Sequence, residues 1–331
     1  MAIKKSARAL FGIRLCSMRS FPATLLSAAL ITCAVNVSAQ QFPTRPVRMI
    51  VPFVAGGGAD ITARRLAEQL GAMWKQPVVI QNSGGAGGNV AVAATASSEP
   101  TGYTVLFASV AIIANNPTLY ENLPFNPDKD LAPVILLGEV PLVLMVSATL
   151  PATDVPSFIA LAKKQPGTLH FGSGGIGTSM HLAGELLKSV AGIDLVHVPY
   201  KGANQVIAAI MGNELQFIFQ NAALVEGQVK GGRVKALGIA SQKRLAALPD
   251  VPTFDESGVP NFRAGISYGI YVRSGTPAPV ISTLNRDIQA VLDDPAYRKQ
   301  MTALGFELGG GTPQQLAAYV QAERKKWIKT K

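Results

Sequence analysis

The stretch VRMIVPFVAGGGADITARRLAEQLGAMW, residues 47–74, decides the fold of this chain. It opens with a short apolar run rich in β-branched residues, which predicts a buried strand. After three glycines, apolar residues recur at helical spacing and predict an amphipathic helix packed on a sheet. These residues are Ala59, Ala63, Leu66, Leu70 and Met73.

The glycine turn between this strand and helix, with Asp60 just behind it, has two interpretations. The first N–H groups of a helix have no partner within the helix, and the helix dipole adds partial positive charge there. The turn therefore suits a carboxylate or phosphate, and glycine lets a ligand approach the backbone. A tight strand-to-helix turn, with Asp60 favouring the positive helix end, explains the same residues without a ligand.

The first 39 residues have the organisation of a secretory signal peptide. Five basic residues and no acid precede an interrupted apolar stretch, and small residues then favour cleavage after Ala39. Lipid attachment at Cys33 is the alternative, although Thr32 is larger than the residue usual before such a cysteine. No later stretch is long and apolar enough to span a bilayer.

Charge and metal-ligand content exclude several classes of function. Removing residues 1–39 lowers the formal net charge from +10 to +5, because this segment contains basic residues but no acids. That charge is mild, and no basic run with interleaved aromatics suggests nucleic-acid binding. His170, His181 and His197 are too scattered for a metal cluster, so no metal or cofactor is predicted. Both cysteines lie in the predicted signal peptide, and the chain is expected in a bacterial periplasm.

A strand followed by a polar or glycine-rich loop and then by a helix recurs along the chain. In open parallel sheets the loops at the carboxyl ends of the strands line one crevice, where ligands bind. Two terminal helices, residues 279–292 and 313–329, are predicted to finish the chain. The predicted loop residues at the strand ends include Asn82, Gly87, Ser109, residues 172–177, Gln220 and Asn221.

Two long apolar segments, near residues 131–147 and 266–272, each connect one half of the chain to the other. Two α/β halves joined by two crossing strands predict a hinged clamshell that closes around a small ligand. Domain 1 is predicted to cover residues 40–142 and 267–331, and domain 2 to cover residues 143–266.

Two motifs match nucleotide-binding and hydrolase signatures by letter only. GSGGIG, residues 172–177, matches the dinucleotide fingerprint, but the following acid Asp194 precedes the next strand instead of ending it. GISYG, residues 265–269, matches the nucleophile elbow, but Ser267 lies in a segment that continues as strand. No plausible nucleophile–base pair is found, so the chain is not predicted to be an enzyme. A secreted α/β enzyme acting on a small carboxylate is the alternative.

The chain resembles the Bug family of periplasmic solute receptors, which are the binding proteins of tripartite tricarboxylate transporters. Five motifs carry the resemblance in order: VPFVAGGGADITAR, NPTLYENLPFNPDKDLAPV, FGSGGIGTSMHLAGELLK, HVPYKG and LPDVPTFDESGVPNF. The resemblance implies an α/β two-domain Venus-flytrap fold of the type II-like periplasmic binding protein class. It also implies that backbone N–H groups and bridging waters hold a carboxylate.

The resemblance further implies which residues bind the ligand. In the first domain they are Phe53, Ala55, Gly56, Gly57, Asp60, Asn82, Gly87 and Ser109. In the second domain they are Gly172, Ser173, Gly174, Gly177, Thr178, His181, Tyr200, Lys201, Gln220 and Asn221. The implied partners are a small organic acid and membrane transporter subunits or a sensor, and the chain is expected to be a monomer. A ligand-sensing receptor for a signalling partner is the second alternative.

Two departures from the family pattern bear on the ligand. Many relatives place an aspartate where this chain has the neutral amides Gln220 and Asn221, so the ligand is expected to carry no essential ammonium group. Many relatives also have a tryptophan at the position of Ser267, and its absence is expected to leave room for a ring.

Overall fold

The computed structural model describes residues 42–328. The predicted signal peptide, its cleavage after Ala39 and the alternative lipid attachment at Cys33 lie outside these residues. The strands are β1 (Val47–Val51), β2 (Val78–Asn82), β3 (Thr104–Ser109), β4 (Leu131–Ser147), β5 (His170–Ser173), β6 (Val196–Pro199), β7 (Phe217–Asn221), β8 (Val234–Ile239), β9 (Gly265–Arg273) and β10 (Glu307–Gly310). The helices are α1 (Gly58–Trp74), α2 (Asn89–Ala96), α3 (Val110–Leu119), α4 (Pro127–Asp130), α5 (Val155–Lys164), α6 (Ser179–Ala191), α7 (Ala203–Met211), α8 (Ala222–Lys230), α9 (Ala278–Asp293), α10 (Pro295–Ala303) and α11 (Pro313–Ile328).

The strands form one sheet in the order β2-β1-β3-β9-β4-β7-β5-β6, with β8 and β10 also paired to β4. β1, β2 and β3 are parallel, and so are β5, β6 and β7. These two parallel groups are the centres of two α/β halves, which we call the first half and the second half. The described residues form one compact unit.

Strand β4 connects the two halves because it pairs with different strands along its length. Residues 131–141 pair with β9, and residues 142–146 pair with β7. β9 in turn pairs with β3 of the first half, so β4 and β9 are the two crossing strands. The domain boundaries predicted near residues 142 and 267 remain a prediction.

Helix α1 packs on the sheet through the face that the sequence predicts, with one exception. Ala63, Leu66 and Leu70 are buried, as the helical spacing requires. Met73 was expected on the same face, but it is 45% exposed. Within residues 42–328 no helix is both long enough and apolar enough to cross a bilayer.

The C-terminal part contains more structure than the two predicted helices. α10 follows α9 directly, with Asp294 accepting the N–H of Tyr297 at 2.8 Å as its N-cap. β10 then pairs antiparallel with β4 in the first half. The prediction of two terminal helices was therefore incomplete.

Candidate ligand-binding cleft

A small cavity of about 50 Å³, which we call the inner cavity, lies between the two halves. Its lining combines backbone, amide and hydroxyl groups with apolar side chains, and none of the lining residues is Lys, Arg, His, Asp or Glu. The lining residues are Phe53, Val54, Gly57, Gly58, Ala59, Ser109, Gly174, Thr178, Ser179, Met180, Gln220, Asn221, Ile266 and Tyr268.

The N-termini of four helices reach the inner cavity. The N-cap residues of α1, α3, α6 and α8 are Gly57, Ser109, Thr178 and Asn221, and all four line it. Each helix N-terminus carries a partial charge of roughly +0.5 on N–H groups without intrahelical partners. Two of these helices belong to the first half and two to the second, so positive potential enters the cavity from both sides.

The N-caps at the cavity leave most of these N–H groups without a side-chain partner. No side-chain capping bond is made by Gly57, Ser109 or Thr178. Asn221 accepts only the N–H of Ala223, at 2.9 Å. By contrast α5, away from the cavity, has a full capping box in which Asp154 accepts the N–H of Ser157 at 2.7 Å. The uncapped ends are thus available to an anionic ligand.

Two buried polar side-chain atoms at the cavity have no hydrogen-bond partner. They are Oγ of Ser109 and Nε2 of Gln220, on residues that are 2% and 1% exposed. The other end of the Gln220 amide is occupied, because its Oε1 accepts the N–H of Asn221 at 2.8 Å. Buried polar groups are normally hydrogen-bonded. These two atoms are therefore available to pair with a polar ligand atom.

The cleft is closed, because the two halves touch across it. The Tyr120 hydroxyl donates to the Ile176 carbonyl at 3.1 Å. A Cβ atom placed on Gly58 would lie 2.5 Å from Nδ2 of Asn221, so only glycine permits this approach. Beyond these contacts lies an outer cavity of about 220 Å³, lined by Gly85, Ala86, Gly87, Tyr120, Gly174, Gly175, Ile176, Pro199, Tyr200 and Lys201.

In the first half, the turn at residues 53–60, which we call the first jaw, is fixed by the Asp60 carboxylate. Asp60 is 3% exposed and accepts the Gly56 N–H and Arg64 Nε at 2.9 Å each. Its second oxygen accepts Asn82 Nδ2 at 3.0 Å. Burial alone would raise the pKa of Asp60, but the hydrogen bonds from Arg64, Gly56 and Asn82 outweigh it and lower that pKa. Asp60 therefore holds the turn in shape and does not line the inner cavity.

In the second half, the loop at residues 172–181, which we call the second jaw, is fixed by neutral groups. The Ser173 hydroxyl donates to the Gly175 carbonyl at 3.0 Å and accepts the Gly175 N–H at 3.1 Å. His197 Nε2 lies 2.7 Å from that same hydroxyl. His181 Nδ1 accepts the Gly177 N–H at 3.2 Å, and the rings of His181 and His197 pack against each other, tilted by 36°, with centroids 4.1 Å apart.

The residues implied by the family resemblance divide into three groups. Those that line the inner cavity are Phe53, Gly57, Ser109, Gly174, Thr178, Gln220 and Asn221. Those that line the outer cavity are Gly87, Gly174, Tyr200 and Lys201. The remaining ones, Ala55, Gly56, Asp60, Asn82, Gly172, Ser173, Gly177 and His181, line neither and belong to the two jaws or to the residues behind them.

Several cavity residues were not predicted from the sequence. Ile266 and Tyr268 of β9 face the inner cavity, whereas Ser267 between them points to the other side, as strand alternation requires. Its hydroxyl donates to Glu139 at 2.9 Å and lies 2.8 Å from the Tyr319 hydroxyl. The expectation that Ser267 leaves room for a ligand ring is therefore wrong. The other lining residues that the family resemblance does not imply are Val54, Gly58, Ala59, Ser179 and Met180.

Comparison with known proteins defines the class of protein. The sequence model of the tripartite tricarboxylate transporter family receptor, TctC, matches residues 62–330. The chain belongs to this family, which confirms the resemblance to Bug receptors. The protein BugT of Bordetella pertussis is 35% identical over 295 residues, which cover 89% of this chain and 90% of BugT.

Two solved structures are similar over most of the chain. The periplasmic binding protein BugD has a TM-score of 0.81 and 33% identity, covering 87% of this chain and 97% of BugD. The R. palustris protein Rpa4515, solved with adipate, has a TM-score of 0.84 and 31% identity, covering 87% of this chain and 97% of Rpa4515. The predicted α/β two-domain periplasmic binding protein fold is confirmed by these likenesses. The chain is a solute-binding protein of a receptor family and not an enzyme.

Proposed function

We propose that the inner cavity binds a small organic acid whose carboxylate accepts hydrogen bonds from N–H groups at the helix N-termini. The observation that carries this proposal is the convergence of four N-caps on one cavity, with Ser109 Oγ and Gln220 Nε2 unpaired beside them. Fixed dipoles from both halves hold an anion without any charged side chain. Because these donors come from both halves, a bound carboxylate also stabilises the closed cleft.

The walls of the cavity favour an acid with an apolar body. Side chains of Phe53, Val54, Met180 and Ile266 lie beside the polar groups. Burying the apolar body of a ligand against such side chains is favourable by roughly 25 cal/mol per Å². Adipate, present with the similar R. palustris protein, combines carboxylates with a methylene chain. Carboxylic acids with an apolar body of this kind are the ligand class that we expect here.

We further propose that the ligand lacks an ammonium group. None of the lining residues of the inner cavity is acidic, and the nearby Asp60 is already occupied by three donors. Gln220 and Asn221 are neutral, and Asn221 also hydrogen-bonds the Tyr268 hydroxyl. A buried ammonium without a carboxylate partner costs several kcal/mol, on the order of the desolvation penalty per ion.

Competition binding tests both parts of the proposal. Isothermal titration with succinate, benzoate and aspartate should show binding of an amine-free acid and at least a hundredfold weaker binding of aspartate. Thermal shift gives an independent readout, because a ligand that binds only the folded protein raises its stability. A preference for aspartate would contradict the absence of an ammonium site. Failure of a broader set of amine-free carboxylates to bind would contradict the carboxylate site.

The family of the chain implies a transporter partner, and we propose that the closed, loaded monomer is the form delivered to the membrane subunits. We also propose export to the periplasm with removal of residues 1–39. The domain division at residues 40–142 with 267–331, and 143–266, is part of the same proposal. The switch of β4 from pairing with β9 to pairing with β7 supports it.

A further inference from the structure

The second jaw is supported by a pair of histidines that does not line either cavity. His181 lies in the first turn of α6, and His197 lies on β6. They are sixteen positions apart in sequence, yet their ring centroids lie 4.1 Å apart, with the rings tilted by 36°. His197 also packs on Phe171 of β5, with ring centroids 4.9 Å apart. The pair thus joins helix, strand and loop behind the cavity.

Each histidine fixes a different point of the second jaw. His197 Nε2 contacts the Ser173 hydroxyl, which bonds both the N–H and the carbonyl of Gly175. His181 Nδ1 accepts the N–H of Gly177, a residue whose φ of 83° is in the left-handed region. Gly177 immediately precedes Thr178, the N-cap of α6 that lines the inner cavity.

We propose that His181 is a positioning residue whose unprotonated Nδ1 holds Gly177, and through it the N-terminus of α6, in the ligand-binding geometry, so that acid pH weakens ligand binding. This inference rests on the proposed binding of an organic acid in the inner cavity. Protonation of Nδ1 replaces an acceptor with a donor opposite the Gly177 N–H. The hydrogen bond is then lost and the jaw is released.

The surroundings of the pair favour the neutral rings. Burial lowers the pKa of His181, and Lys188 adds to this effect, while Glu185 opposes it. Burial also lowers the pKa of His197 to about 3, with smaller effects from His181 and Lys188. Glu185 Oε1 lies 4.0 Å from His181 Nε2, but it is shared with Lys188, whose Nζ lies 3.2 Å from Oε2 of the same carboxylate.

The sign of the pH effect follows from these directions. In the closed cleft the pKa of His181 is lowered, so a released jaw binds protons more readily than a closed one. Ligand affinity is therefore full above the ordinary histidine pKa of about 6.5 and falls as the pH drops below it. If binding requires neutral His181, the affinity falls about tenfold by pH 5.5.

The test is the pH profile of ligand affinity in wild type, His181→Gln and His170→Gln. Benzoate serves as the probe if it binds at pH 7.5, because its carboxyl group remains ionised at pH 5.5. We expect about a tenfold loss for wild type between pH 7.5 and 5.5. His181→Gln should give a flat profile, because His197 stays packed on Phe171 and keeps its lowered pKa. His170, whose Nδ1 lies 3.2 Å from Gln216 Oε1, is the matched control, so His170→Gln should retain the wild-type profile.

A second variant separates positioning from folding. His181→Phe keeps an aromatic ring to pack against His197 but has no acceptor for the Gly177 N–H. It should therefore bind the ligand more weakly than wild type at pH 7.5, with a flat pH profile. A pH-independent wild type, or a persisting pH dependence in His181→Gln, would overturn the role of His181. If wild type binds no carboxylate at any pH, the proposed function fails instead.

Discussion

The first and second jaws present helix N-termini to the same cavity, but they are held in shape by opposite kinds of chemistry. In the first jaw a buried carboxylate, Asp60, gathers donors from Gly56, Arg64 and Asn82. In the second jaw two neutral imidazoles and the Ser173 hydroxyl fix the shape of the loop. Neither arrangement places a formal charge on the wall of the inner cavity.

The difference determines how each jaw responds to acid. The pKa of Asp60 is lowered, so this carboxylate stays ionised at every pH from neutral to mildly acidic. A histidine changes charge within that range when its surroundings are released. The comparison predicts that the first jaw is insensitive to pH between 7 and 5 and that the second jaw is sensitive.

The largest loss of ligand affinity is expected from a side chain that fills the turn of the first jaw. Gly57 has φ −79° and ψ 168°, which any residue adopts, and a Cβ there would meet only the Val54 carbonyl, at 3.7 Å. Gly57→Val should therefore fold normally while its side chain occupies the approach to the N–H groups of α1. We expect at least a thousandfold loss of carboxylate affinity by isothermal titration.

The matched control for Gly57→Val is Gly227→Val on α8, where a Cβ would have no heavy atom within 4 Å. This variant should bind as wild type. Unchanged melting temperature together with normal binding by Gly57→Val would show that the glycine turn is only structural.

The second largest loss of ligand affinity is expected from replacing the Gln220 side-chain donor, which lies next to the second jaw. Gln220→Glu keeps an oxygen for the Asn221 N–H but replaces the unpaired Nε2 donor with a carboxylate oxygen. A hydrogen bond to a charged group contributes about 1.5–3 kcal/mol, and repulsion between like charges adds to its loss. We expect about a hundredfold weaker binding of an amine-free acid, since each 1.4 kcal/mol is tenfold.

Gln216→Glu, which adds the same charge just before β7, is the control for Gln220→Glu. The Oε1 of Gln216 accepts the N–H of His170 at 2.8 Å, and Gln216 lines neither cavity. The ligand affinity of Gln216→Glu should stay within about threefold of wild type, because Gln216 is partly exposed to solvent, which screens the added charge. An equal loss in both variants would indicate a general charge effect and not a contact from Gln220.

The outline of the site could be predicted from the sequence because it depends on local patterns. A strand, a glycine turn and an amphipathic helix occur together at residues 47–74, and this arrangement predicts an uncapped helix N-terminus at Gly57. The strand-end positions Ser109, Gln220 and Asn221 were predicted for the same reason, and all three line the inner cavity.

The remaining features depend on contacts between distant segments. Which face of β9 meets the cavity is set by its pairing with β3 and β4, so Ile266 and Tyr268 were missed. The contact between the His181 and His197 rings exists only because the fold brings the start of α6 next to β6, and the sequence showed only scattered histidines. The closeness of Gly58 to Asn221 likewise exists only because the two halves meet.

The smallest effect is expected from replacing Asp60, the carboxylate that fixes the first jaw, and it tests the contrast between the two jaws. Asp60→Asn keeps the shape of the side chain, but its amide group has only one acceptor oxygen for the three donors that now surround the carboxylate. We expect a loss of about 1–3 kcal/mol in the free energy of unfolding, measured by urea denaturation, since the lost bonds are to a charged group.

The pH dependence of this loss in unfolding free energy tests whether Asp60 responds to acid differently from the histidines of the second jaw. Because the pKa of Asp60 is lowered, its contribution is fully present above the unfolded value of about 3.9 and is lost only as the pH falls through the lower folded value. The difference between wild type and Asp60→Asn should therefore be equal at pH 7 and pH 5 and should shrink only below about pH 4. A difference that narrows between pH 7 and pH 5 would mean that Asp60 titrates like the histidines of the second jaw, and the contrast between the two jaws would be wrong.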